Sequence, residues 1–279
     1  MMEYSYKGQE YTDYPKSITL HHPEIEPILC KPKGDITLDE ASFLLGIPGD
    51  TMRSDCESLI KQQLARQWGK AKEQLEVDKD TNPYVINNAL LFLIEHGDNS
   101  TTLSVALELL SQTDDFLAYN KLDTEWHSPI VTVIFALCNR NPEQLQDFLL
   151  RDDITATSKT VALQALTLIG SADVKERPKE EIFDSLLETV KTLLAAYLAD
   201  KDAHRISNKQ VLSHLIDTAA CSELEPLGHQ IMRLFAYDLI DEDIISEEDA
   251  DAGLFNGGWV EENPPSRKVR DWLLPATKE

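Results

Sequence analysis

Apolar residues recur at spacings of three and four along most of the chain from residue 37 onward. In the first long segment they fall at Met52, Cys56, Leu59, Ile60 and Leu64, on one face of a helix. Similar runs follow, opened by Pro, Ser or Thr and in several cases closed by Gly, as is usual at helix ends. No segment sustains the two-residue alternation of a half-buried strand. The pattern therefore predicts an all-α protein.

The helices of the middle region occur in pairs joined by short polar turns. One helix of each pair is strongly apolar and carries a small residue at its centre, through which neighbouring helices can approach closely: Ala89, Ala136, Ala165 and Ala219. The intervals between the apolar helices are irregular but bracket the length of HEAT-type units. Because one pair cannot bury both of its apolar faces, we expect antiparallel hairpins stacked as a short HEAT-like α-α superhelix. The alternative is a helical bundle without repeats.

Three regions of the chain differ in composition. Residues 1–36 begin with four tyrosines in 14 positions and continue with four prolines, which predicts an irregular N-terminal extension. Residues 37–255 are expected to form a single helical-repeat domain. Residues 256–279 show no periodicity, and we expect Trp259 and Trp272 to hold this C-terminal tail to the body.

Several segments fall in the order found in a bacterial family of helical proteins. They are IPGDTMRSDCESLIKQQ, NALLFLIEHGD, STTLSVALELLSQ, HSPIVTVIFALC, VALQALTLIG and ELEPLGHQIMRLFAYDLIDEDIISEEDA. Over roughly residues 45–255 the chain thus resembles the domain of unknown function 1186 family. The resemblance implies a HEAT-like α-α repeat fold and no assigned activity, so there are no catalytic residues to carry over. Some members carry a cysteine-rich zinc-binding tail, which is not found here, so zinc is not implied.

The charge balance narrows the classes of partner. The chain has 26 Lys and Arg against 49 Asp and Glu, a net charge of −23. Such a surface repels phosphates and anionic lipids, which argues against nucleic-acid and membrane partners. There is neither an apolar run long enough to cross a bilayer nor a signal-peptide core, so we expect a cytoplasmic protein. The oligomeric state is not indicated.

The strongest concentration of acids lies near the end of the chain. Residues 238–266 contain ten acids and no Lys or Arg, and the spacing of Ser246 and Asp249 predicts a short acidic helix. The alternation of ligands needed for an EF-hand is missing. The run is either a solvated acidic face or an electrostatic docking surface for a basic protein, and the candidate residues of such a surface are Asp241, Glu242, Asp243, Glu247, Glu248 and Asp249.

Motifs of catalysis and cofactor binding are absent, so we assign no catalytic, cofactor-binding or metal residues. The leading hypothesis is a non-enzymatic scaffold for protein interactions. An enzyme or ligand-binding protein with a pocket near His214 and His229 is the alternative. His214, Asp217 and Cys221 share one face of a predicted helix, but their spacing is not that of an established metal site. The adjacent His21 and His22 point apart in an extended segment.

A third hypothesis is a DNA-binding regulator. Residues 37–65 have the layout of a short helix, a glycine turn and a second helix, as in a helix-turn-helix. Arg53 and Lys61 would be the contacts to phosphate. Acids outnumber bases in this region, which opposes binding to DNA, so a first helical hairpin is the simpler interpretation.

Overall fold

A computed structural model describes residues 3–6, 9–12, 19–68, 82–96, 99–122, 128–138, 140–172, 178–199, 206–257, 265, 268–269 and 271. The chain divides into two compact units, the first of residues 1–133 and 266–279 and the second of residues 134–265. The described residues are mostly helical, so the predicted all-helical class is confirmed. None of the helices in this described part is both long and apolar enough to cross a membrane.

The first unit opens with a small β-hairpin where an irregular extension was expected. Strands β1 (Glu3–Tyr6) and β2 (Gln9–Thr12) pair antiparallel, with Tyr4 opposite Tyr11. Aromatic and β-branched residues favour strands, but four residues are too short a run for the alternation to stand out in the sequence. The helices of this unit are α1 (Ile25–Leu29), α2 (Leu38–Gly46), α3 (Gly49–Trp68), α4 (Tyr84–His96), α5 (Asn99–Leu110) and α6 (Asp114–Tyr119), with a 3-10 turn at Lys33–Asp35.

Helix α4 is the centre of the first unit and packs on α1 and α3. Its Asn88 is buried and donates its side-chain amide to the carbonyls of Leu29 and Lys31, both at 2.8 Å. These bonds satisfy carbonyls at the end of α1 that have no partner within that helix. Near the other end of the chain, Val269 is buried and its N–H donates to Glu95 of α4 at 3.0 Å. Part of the C-terminal tail is thus packed on this unit, while Trp259 and Trp272 lie outside the described residues.

The boundary between the two units, at residues 133 and 134, falls within helix α7 (Pro129–Leu137). The helices of the second unit are α8 (Glu143–Leu149), α9 (Ala156–Ser171), α10 (Lys179–Ala199), α11 (Ile206–Cys221), α12 (Gly228–Ala236) and α13 (Glu247–Phe255), with a 3-10 turn at Glu225–Leu227. Helix α10 packs on α8, α9 and α11. Helix α11 packs on α9 and on α13.

Helices α9 and α11 pack against each other. Ala165 and Ala219, which the sequence placed at the centres of two apolar helices, are fully buried. Thr167 and Thr218 face each other across the contact, with their hydroxyl oxygens 2.8 Å apart. Each hydroxyl also lies within hydrogen-bond distance of a carbonyl of its own helix, that of Leu163 or His214. One hydroxyl can donate to the other while the second donates to its carbonyl, so both buried oxygens have a partner.

Arg140 is the largest fully buried side chain among the described residues of the second unit. It is 1% exposed and its backbone has a φ of 53°, in the left-handed region that most residues avoid. Its Nε donates to the carbonyl of Ile169 at 3.0 Å, in the last turn of α9. That carbonyl lies at the negative end of the helix and has no intrahelical donor, so the arginine stabilises the end of α9.

Replacement of this arginine tests its contribution to stability. We expect Arg140→Ala to lower the free energy of unfolding by about 3 kcal/mol, through loss of a charged hydrogen bond and a new cavity. Arg151→Ala is the control, because Arg151 is a partly exposed partner of Asp153 and should contribute less than about 1 kcal/mol. Urea unfolding followed by circular dichroism measures both changes. Equal losses in the two variants would contradict the role given to Arg140.

Candidate protein-interaction surface

The acids predicted to bind a partner lie on one turn and the helix that follows it. Glu242, Asp243, Glu247, Glu248 and Asp249 are exposed, and Asp241 is partly exposed. We call these six residues the acidic segment. They begin a few residues after the end of α12 and continue into the first turn of α13, so the chain presents them within a short stretch of backbone.

Two hydrogen bonds hold the turn of the acidic segment. The backbone N–H of Asp241 donates at 2.8 Å to the hydroxyl of Ser213, a buried residue of α11. The carboxylate of Asp241 in turn accepts from the N–H of Asp243 at 3.2 Å. Ile245 is buried a few residues later. The turn is therefore fixed to α11 while its remaining carboxylates face solvent.

The predicted acidic helix is confirmed as α13. Ser246 is its N-cap and accepts from the N–H of Asp249 at 3.1 Å, and the Ser246 hydroxyl donates to the Asp249 carboxylate at 2.6 Å. Glu247, Glu248 and Asp249 occupy the first turn, where the positive end of the helix dipole favours negative charge. The fold thus offsets part of the repulsion between these neighbouring acids.

A cleft of about 440 Å³ lies beside the acidic segment, between α11 and α13. Its lining consists of Asp217, Ala220, Cys221, Ile244, Ile245, Asp249, Gly253 and Gly257. The two helices approach closely at Gly253, where a Cβ atom would lie 2.9 Å from the carbonyl oxygen of Ala220. A side chain at this position would therefore push α13 away from α11.

Asp217 is the half-buried carboxylate of this cleft. Burial raises its pKa above the ordinary value, against a smaller opposing effect of the Cys221 thiol, whose Sγ donates to Asp217 Oδ1 at 3.6 Å. Burial also raises the pKa of the Cys221 thiol, and the charge of Asp217 adds to that effect. A thiol is a weak donor, so this carboxylate is poorly compensated for its loss of water.

The ends of α12 and α13 carry exposed residues of types that are frequent in interfaces. Tyr237, just after the helix, is 57% exposed, and Arg233 Nη2 donates to its hydroxyl at 3.2 Å. Phe255 is 40% exposed, and its ring centroid lies 6.3 Å from that of His229. Tyrosine and arginine are enriched among the residues that contribute most to protein binding.

The histidines predicted for an alternative pocket occupy different surroundings. Burial lowers the pKa of His214, while the charge of Asp241 acts in the opposite direction. His229 lines a separate depression of about 460 Å³ on α12 together with Arg233 and Tyr237. Neither histidine lines the cleft that holds Asp217 and Cys221. Across the described ranges, no three His, Cys, Asp or Glu side chains are grouped so that they could hold a metal ion.

The segment with the layout of a helix-turn-helix forms α2 and α3. Asp55, on the second of these helices, is 2% exposed and accepts hydrogen bonds from the backbone N–H groups of His21 and His22, both at 3.0 Å. His21 Nδ1 lies 2.9 Å from the same carboxylate. Arg53, one of the two proposed phosphate contacts, pairs with Asp50 at 3.2 Å. The buried side of α3 thus holds the preceding segment of the chain.

Sequence reasoning found the acidic segment but missed most of the cleft. Asp217 and Cys221 were considered only as metal ligands, and Ile244, Ile245 and Gly253 were not considered. The one available signal was Gly253, since a glycine inside a helix often marks a close approach.

Comparison with protein-family models, with curated proteins and with solved structures finds no match to this chain.

Asp217 and Asp55 have pKa values shifted in opposite directions, and this difference tests the description of their surroundings. Asp217 holds its proton more tightly in the folded chain, so stability falls as the pH rises from its ordinary pKa to its raised one. Asn at this position resembles the protonated acid. We therefore expect Asp217→Asn to be more stable than the wild type at pH 7, with the difference lost near about pH 3.

Asp55 provides the matched control. Desolvation alone would raise its pKa, but the hydrogen bonds from His21 and His22 outweigh it and the pKa is lowered. Its stabilising contribution is therefore present at neutral pH and lost as the pH falls, so Asp55→Asn should be less stable at pH 7. Urea unfolding at both pH values measures these differences. If Asp217→Asn also lost stability at pH 7, the description of Asp217 would be wrong.

Proposed function

We propose that this protein is a non-enzymatic interaction scaffold that binds a basic protein through its acidic segment. The main support is the run of exposed carboxylates from Asp241 to Asp249. Hydrogen bonds hold its backbone in place, from Asp241 N–H to the Ser213 hydroxyl and from Asp249 N–H to the Ser246 hydroxyl. Arg233 is the only Lys or Arg between positions 210 and 266, so the sequence around the segment offers little internal neutralisation. A partner with Lys and Arg side chains would supply the missing positive charge.

The exposed side chains next to the segment support the same proposal. Tyr237 and Phe255 supply apolar area, and Arg233 supplies a donor group held against Tyr237. An apolar and aromatic centre with a charged rim is the usual composition of a specific protein interface. In this arrangement the acids steer the partner towards the surface, and the aromatic residues contribute to the affinity.

We further propose that the second unit is a short array of stacked helical hairpins, as in HEAT-type proteins. The contacts α8–α10, α9–α11 and α11–α13 join helices that are two apart in the sequence, and α8–α9, α9–α10, α10–α11 and α12–α13 join consecutive helices. That combination is typical of two layers of helices built from repeated pairs. It agrees with the resemblance to the domain of unknown function 1186 family, which we retain as a proposal.

Capture of proteins from a lysate of the source organism tests the function. The tagged wild-type chain is used at about 50 mM and about 300 mM salt, since screening weakens contacts between exposed charges. We expect a basic protein that is retained at the lower salt concentration and released at the higher one. The variant Asp243→Asn/Glu247→Gln/Glu248→Gln should retain at least about tenfold less of it.

The variant Glu180→Gln/Glu181→Gln/Asp184→Asn is the matched control. It removes the same number and types of charge, and two of its glutamates also lie in the first turn of a helix, α10. All three residues are exposed. The control should retain the partner like the wild type. Equal retention by both triple variants, or no protein retained by the wild type, would contradict the proposed function.

A further inference from the structure

The cleft between α11 and α13 has walls of two chemical kinds. Ala220, Ile244 and Ile245 provide apolar surface, and Asp217 and Asp249 provide a carboxylate from each of the two helices. Its volume of about 440 Å³ lies within the range of about 300–1,000 Å³ that is common for ligand sites. A ligand that fits both kinds of wall has an apolar stem and a cationic end.

The negative charge of the cleft has no counterpart in its lining. None of the lining residues is a Lys, Arg or His. Lys179, whose charge acts on the Cys221 thiol, is ion-paired with Glu223 at 3.1 Å. Among the described residues, the Cys221 thiol is the one hydrogen-bond donor to the Asp217 side chain. Within the described part of the chain, this half-buried carboxylate therefore has one weak donor, and a cationic group entering the cleft would find an acceptor facing it.

We propose that the cleft receives the side chain of a lysine or arginine from the basic partner. The alkyl stem packs on Ala220, Ile244 and Ile245, and the cationic head binds the carboxylates of Asp217 and Asp249. Hydrogen bonds between charged groups are stronger than neutral ones, and burial of the stem adds apolar contact. This inference rests on the proposed function, because it names the part of the partner that the surface recognises.

The cleft and the acidic segment then have separate tasks. Exposed carboxylates attract any cationic surface, and salt screens that attraction. A cleft with a partly desolvated carboxylate selects one side chain and fixes the register of the partner. Asp249 belongs to both, since it lies in the first turn of α13 and also lines the cleft.

Binding of a small probe tests the cleft without any partner. The ¹⁵N-labelled full chain is titrated with Nα-acetyl-lysine methylamide, and backbone amide shifts are followed by NMR. We expect saturable shifts at Ala220, Cys221 and Gly253. The same probe acetylated at Nζ has the stem but no charge, and it should bind at least about tenfold more weakly. Equal binding of the two probes, or no shift with the charged probe, would overturn the proposal.

Variants locate the binding site. Asp217→Asn and Asp249→Asn should each weaken binding of the charged probe about tenfold or more. Glu248→Gln removes a charge from the acidic segment outside the cleft, and it should change the dissociation constant less than about twofold. As a folding control, each unbound variant should give an amide spectrum like that of the wild type. The proposal fails if Glu248→Gln weakens binding as much as Asp217→Asn does.

Two further measurements distinguish failure of the cleft proposal from failure of the proposed function, and a lysine or arginine side chain from a free polyamine as the ligand of the cleft. In the lysate capture, retention by Asp217→Asn equal to that of the wild type, with loss in the acidic-segment variant, would refute the cleft and leave the proposed function intact. Equal retention by both triple variants would instead refute the proposed function, whatever the probe does. Spermidine that saturates the cleft at concentrations tenfold or more below the lysine probe would assign the site to a small polyamine, against our proposal.

Discussion

The close approach of α11 to its neighbours is the constraint on which the second unit depends. On one side α11 packs on α9, where the hydroxyls of Thr167 and Thr218 lie 2.8 Å apart. On the other side it meets α13 at Gly253, where even a methyl group would collide with Ala220. Short distances between backbones require small residues, and they in turn fix the spacing of whole helices.

This packing determines the position of the acidic segment. Ser213 on α11 holds the turn at Asp241, and the contact at Gly253 holds α13, so the acidic segment has support at both ends. The cleft is the space between the same two helices. Core and surface are therefore linked, since a change that moves α13 also changes the distance between Asp217 and Asp249.

Two aspartates show how the same side chain serves stability or recognition. Asp55 has less solvent-exposed surface than Asp217, and it accepts hydrogen bonds from two backbone N–H groups, which lower its pKa and join α3 to residues 21–22. Asp217 has a thiol as its donor and lines an open cleft. The number of donors supplied by the fold, and not the depth of burial alone, decides whether a carboxylate stabilises the chain. We interpret the poorly compensated one as a binding group.

The sequence by itself determined the helices, several of their ends and the acidic segment. Helical periodicity and the cap at Ser246 are local features, because they involve residues three or four apart. Only the tertiary structure decided that Asp217 shares a cleft with Asp249, that Arg140 is buried at the end of α9, and that Asp55 holds a preceding segment. These pairs are separated by some 30 residues, and no short-range pattern encodes which helices will meet. The reason is physical: burial and close packing depend on the whole set of contacting surfaces, whereas a helix cap depends on one turn.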